Sequence, residues 1–396
     1  MHGSAMKVTI CCKQFAQGGG AESFLVNFVD RLLEDGHQVK VITPHADAAA
    51  RRLEVARLAV SRAPRSLADL LLARASKKAL AADDADVTFS DQKCWGAQVV
   101  RLGGGVQREY VKQREKSYRW PLRCALNKVV RRLSLRERLR SYIDDKLYEA
   151  PGPQCVIANS DMVRREIARY YPHVAGRVKV VYNGADPKRF TPMLRQTHRE
   201  AVRRQLAIPA EALVGVFVGH DWRRKGLSTF IEALAILARK PQMGPVCGIV
   251  VGKGAKGEAE SFARRKGAAH LLRFVGPTAP DRYYGASDLL VLPSYYDPCA
   301  NVTLEALACG LPVITSVFNG AFELLTAGVN GFYVSDASDS AQLAGFIEHF
   351  ADPAALAAGS EAARALALEH TLTRMYGEIV STLAAIAEQS GRLRAP

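Results

Sequence analysis

The chain has 396 residues, 48% apolar and 23% charged, with a formal net charge of +15. This length and composition suit two or three globular domains and exclude a disordered, collagen-like or membrane-spanning polypeptide. The only apolar run near the start, Val8 to Cys12, is too short for a signal peptide, and no segment reaches the roughly 20 apolar residues of a span, so a cytoplasmic protein is expected.

Lys7 to Cys12 reads as a strand, followed by the glycine loop Gly18-Gly19-Gly20 and a helix with apolar positions Phe24, Leu25, Phe28, Val29, Leu32 and Leu33. Gly36 ends that helix and Val39 to Thr43 forms the next strand, giving a βαβ unit of a parallel sheet. Further strands are predicted at Asp86 to Phe89 and Val99 to Leu102. Between Arg101 and Lys146 stand fourteen Lys or Arg against five Asp or Glu, with Val129, Leu133, Leu135, Leu139, Tyr142 and Ile143 near helical spacing. Amphipathic basic helices are expected there, either as a solvated face or, because Tyr110, Tyr118 and Trp120 interleave with the cations, as a surface for an anionic membrane. No nucleic-acid-binding motif accompanies the charge, so no nucleic acid is expected. The Asp144-Asp145 pair lies in that basic helical region and is not expected to hold a metal.

Strands at Cys155 to Ala158 and Val178 to Val181 complete a first domain over 1–190. Asp186 to Ala210, with Pro187, Pro192, Pro209 and many charges, reads as a linker. The alternation restarts with strands at Val214 to Val218, Gly248 to Val251, Leu272 to Phe274, Asp288 to Leu292 and Val313 to Thr315. Helices fall at Ser228 to Ala238, Glu258 to Lys266 and Val302 to Cys309. This second domain covers 191–374, and a last helix, Met375 to Ile386, opens the segment 375–396. The fold class is therefore α/β, with two doubly wound Rossmann-like domains facing across an interdomain cleft and ligands at the carboxyl ends of the strands. Eight cysteines lie scattered without a CxxC pair or zinc spacing, so reduced, buried thiols and no metal are expected.

The richest segment runs from Tyr295 to Val313. Asp297 stands in a loop after a strand, and Glu305 follows in a helix with seven residues between them. Both acids can face one ligand lying across the helix N-terminus, where backbone N–H groups from Ala300 to Thr303 would meet a phosphate. Glu305 would accept hydrogen bonds from a ribose diol and Asp297 from sugar hydroxyls. Gly252 to Gly257 looks phosphate-like but lacks the Gly-Lys-Ser/Thr end of a P-loop and reads as a strand-end loop. Trp95 and Trp222 fit core positions, though Trp222, in the segment after a strand, could instead border a ligand.

The Asp297-x7-Glu305-Ala306-Leu307-Ala308-Cys309-Gly310-Leu311-Pro312-Val313 pattern resembles the retaining GT-B glycosyltransferases of family 4. Val218 to Leu227, containing Gly219, Arg224 and Lys225, is similar to the family's diphosphate-clamping segment. Gly18 to Glu22, Phe274-Val275-Gly276, Ala286-Ser287-Asp288, Asn319 to Glu323 and Gly328 to Gly331 match in order and spacing. The resemblance implies a first domain for the acceptor and a second for the nucleotide sugar, with the last helix crossing back to the first. It implies Arg224 and Lys225 on the donor diphosphate, Glu305 on the ribose, and Asp297 with the Ala300, Asn301 and Val302 backbone on the sugar or β-phosphate. Gly18, Gly19 and Gly20 would border the phosphates, with Gly219 and Val275 also lining the donor. An Arg directly before the Lys, with the basic 108–146 region, is similar to the lipopolysaccharide-core glucosyltransferase I branch. That branch implies UDP-glucose as donor, a heptose of a lipid-linked saccharide as acceptor, and a protein peripheral to the inner face of the cytoplasmic membrane.

The clamp also has a physical rationale. Cleaving a nucleotide-sugar bond builds negative charge on the diphosphate, which a guanidinium fork and an ammonium point charge stabilise without a metal. The chain departs from the family at three places. Asp297 stands where Glu is common, His220 where many members carry Arg, and Arg101 to Arg108 holds neither the acid nor the His expected near the acceptor. Gln107, Glu109 or Asp91 would have to give polar help there, and Gln107 is taken as the catalytic candidate. Two other functions fit the same architecture: a nucleotide-sugar 2-epimerase, and a non-catalytic protein binding nucleotide sugars or membranes.

Overall fold

In the computed structural model, which describes residues 5–16, 20–47, 52–60, 64–118, 134–149 and 151–391, strands and helices alternate to give two parallel sheets. Gly18, Gly19, Cys124 and the 119–133 part of the basic stretch lie outside the described residues. The first sheet holds β1 (Lys7–Cys11), β2 (Gln38–Thr43), β3 (Glu54–Arg57), β4 (Val87–Ser90), β5 (Val99–Leu102), β6 (Cys155–Ala158) and β7 (Val178–Val180) in the order β3-β2-β1-β4-β5-β6-β7. The second holds β8 (Leu213–Val218), β9 (Val246–Val251), β10 (Leu272–Gly276), β11 (Leu289–Val291), β12 (Val313–Ser316) and β13 (Gly331–Val334) in the order β10-β9-β8-β11-β12-β13. Central strands such as β4, β5, β6 and β9 are buried along their whole length. Helices cover both faces of such sheets, which is why their sequences read as unbroken apolar runs. Strand order reverses between β1 and β4 and between β8 and β11, where doubly wound sheets take ligands.

The chain divides into two units, between Val181 and Tyr182 and again between Arg374 and Met375, with described residues 113–118 counted in the second unit. The first division lies ahead of residue 190 because the Ala185 N–H donates to His370 O (3.0 Å) and the Leu372 N–H to Ala185 O (3.0 Å). At Gly184 a Cβ would stand 2.3 Å from the Thr371 carbonyl, so only glycine allows this approach. From Met375 the last helix, Leu372–Gln389, belongs with the first unit, where Tyr376 packs 5.7 Å from the rings of both Phe24 and Phe28.

The expected linker over 186–210 contains a helix, Met193–Gln205. Its sequence is mostly polar, but Arg195, Arg199 and Arg203 recur every four residues and converge on the buried carboxylate of Asp288. Arg203 donates to Asp288 Oδ2 at 2.7 Å, while Arg199 and Arg195 meet Oδ1 at 2.9 and 3.2 Å. Asp288 itself lies outside β11; its N–H donates to Val214 O and its Oδ2 accepts from the Val214 N–H. Glu54–Arg57 escaped sequence reading because it is a half-buried edge strand of four residues with charged ends. All seven described cysteines are free and buried.

Removing the Asp288 carboxylate leaves the buried Arg203 cation uncompensated. Asp288→Ala should cost about 3–5 kcal/mol in urea denaturation. Asp288→Leu combined with Arg203→Met should recover part of that loss.

Candidate functional site

The candidate site grows from the carboxyl ends of β8 and β11, beside the reversal point of the second sheet. After β8 the chain turns through Asp221, which adopts φ 55°, and Gly226, at φ 82°. A Cβ on Gly226 would lie 2.0 Å from Pro293 O, so the turn is pressed against the segment leaving β11. The Lys225 N–H donates to Asp221 O (3.1 Å) and the Leu227 N–H to Trp222 O (3.0 Å). Trp222 is buried, donates its indole N–H to Gly219 O at 3.0 Å, and packs 5.5 Å from the Phe274 ring. It is a core residue that fixes the turn. The Gly252 to Gly257 segment is a strand-end loop, its Gly252 N–H donating to Gly276 O (2.8 Å).

This turn presents Arg224 and Lys225 to Asp297. The Lys225 ammonium forms a buried ion pair with Asp297 Oδ2. Arg224 Nη1 donates to Tyr296 O (2.5 Å) and stands 3.5 Å from the same Oδ2, with its Nε 3.4 Å from Asp221. Burial alone would push the Asp297 carboxyl up, but the Lys225 and Arg224 charges outweigh it and hold the group below its ordinary range. The ion-paired carboxylate is therefore charged at neutral pH.

The backbone of Asp297 is equally constrained. Its N–H donates to Phe318 O (2.8 Å), and its carbonyl accepts from the Gly320 N–H (2.9 Å). Between those residues stands Asn319, fully buried. Its Oδ1 accepts from the Ala300 N–H (3.0 Å) and its Nδ2 donates to the hydroxyls of Thr303 (3.1 Å) and Thr315 (3.0 Å). Asn319 thus holds the start of the Asn301–Ala308 helix, and Asn183 secures the preceding loop through Cys299 O (2.8 Å) and Asn301 Oδ1 (2.6 Å).

Of the sequence-derived residues, the structure brings Arg224, Lys225 and Asp297 into direct contact and places Gly219 against the Lys225 stem. Ala300 and Asn301 join through Asn319 and Asn183. The expectation that backbone N–H groups from Ala300 to Thr303 all meet a phosphate is corrected: that of Ala300 is taken by Asn319 and that of Thr303 by Ala300 O (3.0 Å). Val302 lies half-buried in the helix beside them, and Val275 half-buried in β10. Glu305 takes a hydrogen bond from the Tyr284 hydroxyl (2.8 Å); burial pushes its carboxyl up, against the opposing effect of that bond. Gly20 and Gln107 belong to the first unit, each heading a helix.

The Gln107 amide donates to Glu137 (2.7 Å) and its N–H to Asp144 (2.9 Å). Asp144 is fully buried and paired with Lys93, while Asp145 pairs with Arg108 (2.9 Å). Glu109 accepts from the Tyr170 hydroxyl (2.7 Å). Sequence reasoning gave no role to Asn319, Asn183, Tyr284 or Asp221. Beside the family match of that segment, an Asn-Gly pair just past an apolar strand signals the cap that Asn319 forms on Gly320–Leu324.

Asn319→Ala removes the side-chain acceptor of the buried Ala300 and Ala321 N–H groups, each left unsatisfied at about 1–3 kcal/mol, and thermal denaturation should show the loss. The pH dependence follows from the lowered Asp297 carboxyl. Its contribution is fully present above the unfolded-state value near ~4 and disappears as pH falls through the lower folded-state value. The stability difference between wild type and Asp297→Asn should be constant above that range and shrink on acidification.

Residues 18–189 match a family model described as Glycosyltransferase Family 4, and residues 212–352 one described as Glycosyl transferases group 1. D-inositol 3-phosphate glycosyltransferase 2 of Catenulispora acidiphila is 35% identical over 191 residues, 46% of this chain and 44% of its own length. The D-inositol 3-phosphate glycosyltransferase of Streptomyces avermitilis is 33% identical over 222 residues, 53% of this chain and 47% of its own. The chain spans about half the length of the curated relatives it matches. Among solved structures, WaaG, a glycosyltransferase involved in lipopolysaccharide biosynthesis, superposes with a TM-score of 0.78 at 21% identity, covering 95% of this chain and 99% of its own. Anabaena Alr3699/HepE in complex with UDP-glucose gives 0.69 at 22% identity, covering 96% and 100%. The fold is GT-B, and each of the two family models matches one part of the chain, less than half of its length.

Proposed function

We propose that this GT-B chain is a retaining hexosyltransferase that takes a sugar from a UDP-sugar, with UDP-glucose the first donor to test. The observation that carries the reading is the Arg224–Lys225–Asp297 group beside the reversal point of the second sheet. Two cations held by one carboxylate are preorganised for a diphosphate, whose charge grows as the glycosidic bond breaks. The protein then supplies the leaving-group stabilisation with no metal required. Asn301 and Val302 offer backbone N–H groups to the β-phosphate, and Glu305 offers its carboxylate to the ribose in exchange for Tyr284. Asp297 would meet the sugar hydroxyls with the oxygen that Lys225 leaves available. Gln107 is the acceptor-side residue to test, since its amide would have to exchange Glu137 for a sugar hydroxyl.

The acceptor we favour is the heptose region of a lipid-linked lipopolysaccharide inner core, reached from a peripheral position on the anionic inner membrane face. The net charge of +15 supports an anionic acceptor, and no helix among the described residues is long and apolar enough to cross a membrane. The names of the curated relatives favour a second acceptor, an inositol phosphate.

Thermal denaturation with UDP-, GDP- and ADP-sugars, with and without EDTA, tests the donor assignment. A donor at a hundred times its Kd should add about 2.7 kcal/mol. The shift should survive EDTA and vanish in Arg224→Gln, whereas no shift with any nucleotide sugar overturns the assignment. Incubation of the stabilising donor with heptose-containing and inositol-phosphate acceptors, followed by NMR of the anomeric proton, distinguishes the acceptors and the stereochemistry. Conversion of the donor to its epimer without acceptor would mark a 2-epimerase.

A further inference from the structure

We infer a second binding site, for the phosphate groups of a multiply charged ligand, in the first unit at the amino edge of its sheet. A cavity of about 1220 Å3 lies there, lined by Arg74, Lys77, Lys78, Lys146, Arg177 and one acid, Glu149. Gln98 and Gln154, the residues just before β5 and β6, also line it. The cavity therefore opens at the edge opposite the strand carboxyl ends, away from where a doubly wound sheet takes its catalytic ligands.

The charge of the cavity is unbalanced. Glu149 is held by Lys146 at 2.7 Å, and the other four cations have no carboxylate in the lining. Arg74, Lys77 and Lys78 are exposed, stand on the single helix Arg65–Ala81, and carry no ion pair among the described residues. Their spacing of three and four residues puts them on one helix face, where like charges repel and weaken the helix. An anion seated between them removes that repulsion. A concave wall of one sign also concentrates the field, which raises the local concentration of counter-ions.

The walls are built before any ligand arrives. Arg177 is fixed by Nη1 hydrogen bonds to Pro151 O (2.9 Å) and Pro153 O (3.3 Å). The Gln98 amide donates to Ser390 Oγ (3.1 Å), and the Trp95 indole donates to Ile143 O (3.1 Å). These groups lose little freedom on binding, and the exposed Arg74, Lys77 and Lys78 are the ones that must order. Two guanidiniums and neighbouring ammonium groups suit phosphate oxygens, and four excess charges call for a polyvalent ligand rather than a single carboxylate. The phosphate groups can come from a soluble polyphosphorylated molecule or from lipid headgroups. This inference stands apart from the sugar-transfer reading.

Calorimetric titration with sodium tripolyphosphate, and co-sedimentation with phosphatidylglycerol vesicles, test it on the full chain. The triple variant Arg74→Ser, Lys77→Ser, Lys78→Ser is compared with a charge-matched control, Arg204→Ser, Arg264→Ser, Arg265→Ser. The first should weaken binding roughly tenfold or more, with the control close to wild type. Selective loss of tripolyphosphate binding identifies a soluble ligand, and selective loss of vesicle binding identifies headgroups. No saturable binding in either assay, or equal weakening by both variants, overturns the proposal.

Discussion

Much of the second unit's architecture is arranged around one buried carboxylate and the two cations that share it. Asp297 and Lys225 are both nearly inaccessible, and an ion pair taken out of water is tolerable only when geometry and further hydrogen bonds make up the lost solvation. The surrounding structure supplies these. The turn after β8 is held by Trp222 and pressed against Pro293, and the Asp297 backbone is tied on both sides of Asn319. A change in any of these supports moves the charges as well as the packing.

The same economy governs Asp288, where three arginines from one helix meet a single buried carboxylate. The two acidic centres differ in what surrounds them. Asp288 also accepts from the backbone N–H of Val214 in β8, and Arg203 in turn donates to the carbonyls of Ala210 and Ala212. That set is closed and structural. At Asp297 the set is less closed, since Arg224 stays partly exposed, in keeping with the donor site proposed above.

Much of the fold was legible because central parallel strands are apolar throughout and their glycine-rich exits are short. β5 and β6 were read to the residue, and the helix of the Asp297–Glu305 motif to within one. The linker reading failed at Met193–Gln205 because that helix buries little beyond Val202 and is tied down by arginines reaching a distant aspartate, a pattern that looks merely charged in one dimension. At the site, residue types identified the charged groups but not their pairing. Nothing in the sequence says that Asn319 lies beside Thr303, or that Tyr284 reaches Glu305, since both contacts join segments brought together only by the sheet.

The distribution of thiols gives the molecule a built-in reporter. Cys11, Cys12, Cys94 and Cys155 belong to the first unit and Cys247, Cys299 and Cys309 to the second, all free and all shielded from solvent. A thiol reagent can reach them only when the packing around them opens. Mass-resolved modification would therefore time the breathing of each half separately, without a single added probe, and would show whether a bound nucleotide sugar quiets one half and leaves the other as it was.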